Sequence, residues 1–527
     1  MHTVWNKSKT VLKCWAIIFA GAVSSFIFPP FANVCLGYLA LIGFLAFLFF
    51  KPRLKKELFG IAYLFGFAFY CVGFSWINNA LLIEADKFAS FIPLVIFAIG
   101  SFFGLFWAIP ALFAAGNKNV YQKMIAFSAT FVLMEWVRSF IFTGFPWNLL
   151  GTAFSFSPYM IQGAAFIGTY GLSLLLLLFC SGVALLVIGL LQKRFYKGSL
   201  LFLLIPAVFF FVSAQQIKEP ECLHCEEQRG LLVRLVQPSI PQTFKWHPAL
   251  MYQNFRQYIE LSKKGSEEGY WPLEEIDLVV WGETATPYIL DRDEEHRLEL
   301  KEAIPQGGFL VTGVLRAGME NGGIVPYNSL YVLDDKANIK DYYDKAHLVP
   351  FGEYLPFREY LPDFMSPVAD IVGDLGKGEK YKNINVLGLP LMGGAICYES
   401  IFPKQVLNPQ KKPEVLLVLA NDGWYGISAG PYQHLAAAQM RAVEEGITVI
   451  RSANTGISAI IEPSGKITGQ IGLNEVGITD IMLKKPLTKD TFYGRYGNVI
   501  PLSLLLLLLL WSMFFNDFKS AFRGKDK

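Results

Sequence analysis

Charge is scarce in this chain: Asp, Glu, Lys and Arg make up 17% of its 527 residues, while 53% are hydrophobic. With a mean hydropathy of +0.38, that shortage excludes a disordered chain, a collagen-like repeat and a single soluble domain. The formal net charge of +3 leaves no global basic field, so composition gives no argument for a nucleic-acid partner. What is abundant is apolar sequence in long blocks separated by Lys/Arg clusters, the arrangement of a membrane protein.

Stretches long enough to span a hydrocarbon core of ~30 Å run near 11–28, 33–50, 58–80, 88–115, 121–142, 160–192 and 198–214, with one more near 498–515. Lys7, Lys9 and Lys13, then Lys51, Arg53, Lys55 and Lys56, then Lys118 and Lys123, then Lys193, Arg194 and Lys197 fall on alternate loops, and Lys519, Arg523, Lys525 and Lys527 join the same side. The intervening loops 79–87 and 143–159 contain almost no Lys or Arg apart from Lys87. The positive-inside rule then predicts cytoplasmic termini and an outer-face position for the long polar insert. Three parts result: a bundle of about seven spans over 1–216, an outer domain over 217–495, and a last span with a cytoplasmic tail over 496–527. No small-residue cleavage site follows the first apolar segment, so a removed signal peptide is not expected.

Cysteine is also sparse, and its placement narrows its roles. Cys14, Cys35, Cys71 and Cys180 lie in apolar segments, where they read as small buried hydrophobes. Cys222 and Cys225 flank His224 in a C-x-x-C suited to a local disulfide in an oxidising compartment. A metal site would need a second ligand pair at matching spacing, and none is seen. Cys397 remains, an outer-face thiol that is either a buried bystander or a nucleophile.

The outer part has an α/β rhythm. Apolar β-rich runs recur at 231–236, 276–281, 309–314, 329–333, 389–396, 415–420 and 447–451, the clearest helix is 434–445, and Pro463-Ser-Gly465 sits at the turn of a hairpin. Three strand ends carry reactive residue types: Glu283 after Val279-Val-Trp-Gly, Lys345 after a strand-turn-strand ending at Asp344, and Cys397 after Gly393-Gly-Ala-Ile. Acyl transfer requires a nucleophile, a base to deprotonate it and a cation or donor pair for the oxyanion, which Cys, Glu and Lys supply. A thiol opening a helical turn is also expected to have its thiolate favoured by the helix N-terminus. Each residue alone reads equally as an ordinary loop side chain.

Around these residues the sequence resembles the carbon-nitrogen hydrolase (nitrilase) superfamily, in the blocks Trp281-Gly-Glu-Thr-Ala285, Tyr343-Asp-Lys-Ala-His-Leu-Val-Pro-Phe-Gly-Glu-Tyr-Leu-Pro356 and Gly394-Ala-Ile-Cys-Tyr-Glu-Ser-Ile-Phe-Pro403. With its flanking spans the chain as a whole resembles the apolipoprotein N-acyltransferases of Gram-negative bacteria. Further blocks agree: Glu135-Trp-Val-Arg138, Gly144-Phe-Pro-Trp147, Ile240-Pro-Gln242, Lys245-Trp246, Asn421-Asp-Gly-Trp-Tyr-Gly426 and Gln439-x-Arg441-Ala-x-Glu444. One departure is Pro238-Ser239, where the family more often has Gly-Asn.

The resemblance implies a polytopic α-helical membrane protein with an inserted nitrilase-like αββα sandwich. It implies Cys397 as nucleophile, Glu283 as general base and Lys345 as oxyanion stabiliser. Glu353 would be a second carboxylate near the base, Tyr398 and Glu399 supports beside the nucleophile, and Trp246 an aromatic on a mobile loop over the pocket. From the residues alone, Glu353 reads equally as a surface side chain and Trp246 as an interfacial anchor. The implied partners are a phospholipid acyl donor and a diacylglyceryl lipoprotein acceptor at the bacterial inner membrane, with the catalytic domain periplasmic. No metal or organic cofactor is implied.

Glu135 and Arg138, spaced i, i+3 near the end of the fifth span, would have to pair or face a cavity. The apolar loop residues of 348–365 suggest contact with lipid. Two other function classes compete. A membrane-tethered amidase would pass the acyl group to water and release free fatty acid without acceptor. A transporter or scaffold with a degenerate outer domain is opposed by the intact Glu283, Lys345 and Cys397.

Overall fold

The computed structural model describes residues 2–32, 34–117, 119–194, 196–215, 217, 230–320, 322–356, 374–483 and 490–523. Cys222, Cys225 and the apolar segment 357–365 lie outside them. The chain forms two compact units, one of residues 1–217 with 491–527 and the other of 218–490.

The first unit is helical, with long helices at His2–Ser24, Cys35–Phe49, Lys55–Gly73, Ile92–Ala115, Val120–Val137, Ala164–Leu191, Ser199–Ala214 and Val499–Arg523. Among the described residues, Thr10–Ile27, Lys55–Gly73, Ala85–Ala115 and Ala164–Leu191 are long and apolar enough to cross a membrane, while Cys35–Phe49, Ser199–Ala214 and Val499–Met513 are shorter apolar helices. At 1.5 Å per residue a helix of the length of Cys35–Phe49 covers roughly 22 Å, so not every apolar stretch becomes a full-length span. The interior is aromatic. Phe44 stacks on Phe65 at 3.7 Å, and Trp107 packs against Phe65, Phe69 and Phe131. Gly66 makes this possible, because a Cβ there would lie 2.7 Å from the Trp107 ring.

Among the described residues the second unit contains twelve strands in chain order: β1 (Leu232–Gln237), β2 (Leu278–Val280), β3 (Phe309–Glu320), β4 (Gly323–Asp334), β5 (Ile339–Asp344), β6 (Asn383–Ile384), β7 (Met392–Ile396), β8 (Val415–Ala420), β9 (Thr448–Ala453), β10 (Ser458–Ile461), β11 (Ile467–Ile471) and β12 (Gly477–Met482). They form two six-stranded sheets, ordered β12-β1-β2-β3-β4-β5 and β11-β10-β9-β8-β7-β6. In each, a parallel centre (β1-β2-β3 and β7-β8-β9) is flanked by antiparallel strands.

Alternation along the strands builds the layers. Val233, Leu235, Leu278 and Val280 of one sheet meet Met392, Ile396, Leu417 and Leu419 of the other in a shared core. The opposite faces bury Leu232 and Val236 against Phe255 and Ile259 of helix Met251–Ser262. Leu416 and Val418 likewise pack against Leu435, Ala438 and Ala442 of helix Gly430–Glu445. The result is the αββα sandwich. That last helix is punctuated by Pro431 in its first turn and by Gly446 in the left-handed conformation at its end.

The sequence reading located the main strands and missed β12, which pairs with β1, and the two-residue β6. β3 and β4 are also longer than the apolar runs that marked them, because their outer halves carry polar residues and glycine.

Candidate active site

Glu283, Lys345 and Cys397 follow the C-terminal ends of β2, β5 and β7, so sheet topology brings three remote segments together. Gly282 lets the two sheets approach there: a Cβ on it would stand 2.5 Å from the backbone nitrogen of Asn454. The neighbouring amide of Glu283 donates to the Ala420 carbonyl at 3.3 Å, joining the end of β2 to that of β8.

Lys345 is fully buried, and its Nζ lies 2.9 Å from Oε1 of Glu353 and 3.6 Å from Oε1 of Glu283. Burial lowers the affinity of this ammonium for its proton, but the Glu353 and Glu283 carboxylates outweigh burial and hold it above the ordinary lysine value. Asn328, on β4, donates from Nδ2 to Oε1 of both Glu283 and Glu353, at 2.8 Å each. The second oxygen of Glu353 accepts from the amide of Val349 at 2.8 Å. Glu353 is therefore joined to the Lys345–Glu283 cluster.

Cys397 is the first residue of a 3-10 turn, Cys397–Ile401, and is 5% exposed. Its φ of +50° is left-handed, a conformation that a residue with a Cβ holds only when its surroundings impose it. Glu399 helps to impose it. One of its oxygens accepts from Tyr343 Oη and from the amides of Ala346 and His347, each at 2.9 Å, and the other from the amide of Ile396 at 2.7 Å. One buried carboxylate thus ties the segment after Lys345 to the nucleophile turn. Tyr398 is buried against Phe402 and His347.

The expected thiolate-favouring effect of a helix N-terminus is overridden. Burial pushes the Cys397 thiol up, the negative charge of Glu283 adds to this, and Lys345 with the amide of Asn421 pulls back only in part. A five-residue 3-10 turn has too little aligned dipole to oppose that desolvation. Cys397 rests as a thiol, so its proton must leave as it attacks.

Behind Cys397 lies a network that the sequence reading did not find. The Cys397 carbonyl is 2.9 Å from Nε2 of His434, whose Nδ1 is 2.7 Å from Asp422; Arg451 in turn reaches Asp422 at 2.7 Å. One ligand atom each from Cys397, Asp422 and His434 would fit within 4.8 Å, but the carboxylate is already neutralised by Arg451 and both ring nitrogens are occupied. The trio reads as a scaffold for the nucleophile rather than a metal centre.

Trp246 ends the short helix Gln242–Lys245 and is 39% exposed. Its neighbour Lys245 is buried and donates from Nζ to the Glu283 carbonyl at 3.0 Å and to Thr284 Oγ1 at 2.6 Å. Burial lowers Lys245 to about 8. At the Pro238-Ser239 departure, Ser239 takes φ +53°, a conformation that Gly and Asn adopt more readily.

In the helical unit, Glu135 and Arg138 do not form an ion pair within 4 Å. Glu135 accepts from the amide of Leu150 at 2.7 Å, while Arg138 donates to Tyr70 Oη at 3.3 Å and lies over the Tyr70 and Phe103 rings.

Residues 20–182 match the apolipoprotein N-acyltransferase N-terminal domain family, and residues 232–486 match the carbon-nitrogen hydrolase family. An apolipoprotein N-acyltransferase of Rickettsia typhi is 33% identical over 520 residues, covering 97% of this chain and 100% of that protein. The chain belongs to the apolipoprotein N-acyltransferases. Another of these, from Brucella melitensis, is 38% identical over 458 residues, 85% of this chain and 84% of that protein. Membership makes the chain an acyltransferase, and its apolar helices make it a membrane protein. Among solved structures, an amidase from Nesterenkonia aligns with 49% of this chain and 92% of that one, at 16% identity and a TM-score of 0.34.

Proposed function

We propose that this enzyme transfers a fatty acyl chain from a membrane phospholipid to the α-amine of the N-terminal diacylglyceryl-cysteine of lipoproteins. The reaction takes place at the bacterial inner membrane, with 217–495 as a periplasmic catalytic domain set between a bundle over 1–216 and a last span over 496–527. The observation that carries the reading is the buried cluster of Glu283, Lys345, Glu353 and Asn328 around the strand ends that present Cys397.

Glu283 takes the Cys397 proton as sulfur attacks an ester carbonyl of the phospholipid. Lys345 and neighbouring backbone N–H groups stabilise the oxyanion, the C–O bond breaks, and a lysophospholipid leaves with the proton from Glu283. The acyl chain remains as a thioester. The acceptor's α-amine, with a reference pKa near ~8, is partly neutral at working pH and attacks this thioester; Glu283 accepts the amine's proton and the thiol is regenerated. Because the carboxylate returns its proton after the first step, it serves both halves of a ping-pong cycle. Glu353 keeps Lys345 charged, Tyr398 and Glu399 fix the nucleophile turn, and Trp246 acts on lipid access.

The test is to expose purified enzyme to phospholipid without lipoprotein. Lysophospholipid should appear in an amount matching the enzyme, with an acyl adduct on Cys397 by mass spectrometry. Lysophospholipid released only when acceptor is present would point to direct transfer in a ternary complex. Continuous release of free fatty acid would favour the amidase.

A further inference from the structure

The turn after β8 carries a hydroxyl to the nucleophile. Asp422–Tyr425 forms a short 3-10 segment, and Tyr425 Oη lies 3.7 Å from Cys397 Sγ, within hydrogen-bonding range for sulfur. The segment is held from several sides. The Tyr425 carbonyl accepts from Ser428 Oγ at 2.7 Å, and its ring meets the His434 imidazole nearly edge-on, 5.9 Å between centroids at 69°. His434 is fixed in turn by Asp422 and by the Cys397 carbonyl. Hydroxyl and thiol are thus presented by one connected framework.

With a neutral thiol, either partner of this contact can donate. Once sulfur is a thiolate only the phenol can, and a hydrogen bond to an ionised acceptor is about twice as strong as a neutral one. The contact therefore strengthens as the thiol ionises, which is the condition for lowering a barrier rather than merely binding the ground state. Burial and the charges of Glu283 and Asp422 oppose the thiolate. Lys345 already serves the carboxylates of Glu283 and Glu353, and the Lys245 ammonium donates to the Glu283 carbonyl and to Thr284. Burial also holds the Tyr425 hydroxyl well above its ordinary value, so it keeps its proton.

Resting on the reading of Cys397 as the nucleophile, we infer that Tyr425 is a further catalytic residue, whose hydroxyl donates to the sulfur of Cys397 whenever that sulfur carries charge. This occurs twice. In the first half Glu283 takes the thiol proton, Tyr425 retains its own, and the sulfur lone pair forms the C–S bond. In the second the amine adds, the C–S bond breaks with its electron pair returning to sulfur, and Tyr425 again donates to the leaving thiolate until Glu283 returns a proton. No proton leaves Tyr425 in either half.

The test compares wild type, Tyr425→Phe and a form with a fluorinated, more acidic tyrosine at 425, all as full-length protein in detergent. Tyr425→Phe keeps the ring and loses one hydroxyl; it should slow thioester formation from phospholipid and alkylation of Cys397 by iodoacetamide at fixed pH, each by roughly ten- to a hundredfold. The fluorinated form, a stronger donor, should alkylate at least as fast as wild type. A purely structural hydroxyl would give no such opposed pair, and equal rates in all three proteins would overturn the inference. Absence of any acyl adduct on wild-type Cys397 would instead overturn the nucleophile reading on which it rests.

Discussion

Lys345 is nearer to Glu353, at 2.9 Å, than to Glu283, at 3.6 Å. Glu353 is thus its primary counter-charge. Changing Glu353→Gln should strand a buried ammonium beside a single, longer-range partner and destabilise the catalytic domain by about 3 kcal/mol. The folded value of Lys345 is raised, so the pairing energy is fully present below the unfolded lysine value of about 10.4 and is lost only as pH climbs through the higher folded one. The loss of thermal stability in the variant should therefore be the same from about pH 6 to about pH 9. A penalty confined to one end of that range would contradict the assignment.

Asn328 supplies a donor to each of the two carboxylates and has no catalytic proton of its own. Asn328→Leu leaves both oxygens short of a partner, at a cost of about 1–3 kcal/mol. The corresponding fall in turnover, roughly ten- to a hundredfold, should appear in kcat more than in KM for phospholipid. Unchanged kcat would reduce Asn328 to packing.

Much of this site was legible because its members sit at strand ends whose hydrophobic runs are easy to see: Val279-Val before Glu283 and Gly393-Gly-Ala-Ile before Cys397. The αββα layers also follow from alternation, as Leu416/Val418 and Leu417/Leu419 divide between two faces. Asn328 was not legible. It lies inside β4, where a polar side chain reads as the solvent face, whereas it is buried against the Glu283 and Glu353 carboxylates that distant segments bring to it. His434 and Arg451 were hidden similarly, one on a buried helix and the other on β9, with their shared partner Asp422 in a turn between. The state of Cys397 was misread because local sequence displays the helical turn but not the burial and the Glu283 charge contributed by distant segments.

Lys245 fastens the short helix that leads to Trp246 onto the backbone of Glu283. Its folded value is lowered to about 8, so between about pH 8 and about pH 10 the unfolded chain binds a proton that the folded one does not, and stability rises with pH. Lys245→Met should flatten that rise when unfolding is followed across the interval. Persistence of the full slope would assign it to other groups.

Trp246 exposes its indole while its neighbour is anchored. Trp246→Ala should leave the melting temperature near wild type yet slow acyl transfer roughly ten- to a hundredfold, as expected when a substrate-ordering group is lost. Wild-type turnover would return it to the role of an interfacial side chain.

The charge asymmetry of the loops bears on where this chemistry happens. Alkaline phosphatase joined after residue 230 should be active and a fusion at the C-terminus inactive, since the enzyme folds only outside the cytoplasm. The reverse pattern would separate 217–495 from exported lipoproteins and overturn the proposed orientation.

Glu283 acts on Cys397 in two opposed ways. As a nearby negative charge it disfavours the thiolate, and as a base it accepts the thiol proton during attack. Glu283→Gln separates the two. With the charge gone, the Cys397 thiol falls toward its ordinary value, and alkylation by iodoacetamide, which samples the thiolate present in the resting site, should rise by about tenfold. Acyl transfer should fall to near background, because no base remains to take the proton from thiol or amine. Cys397→Ser should lose activity as well, since its hydroxyl is much harder to ionise than a thiol. If alkylation and acyl transfer both fell in Glu283→Gln, the carboxylate would be assisting ionisation in the resting enzyme, and its two roles would not be separable.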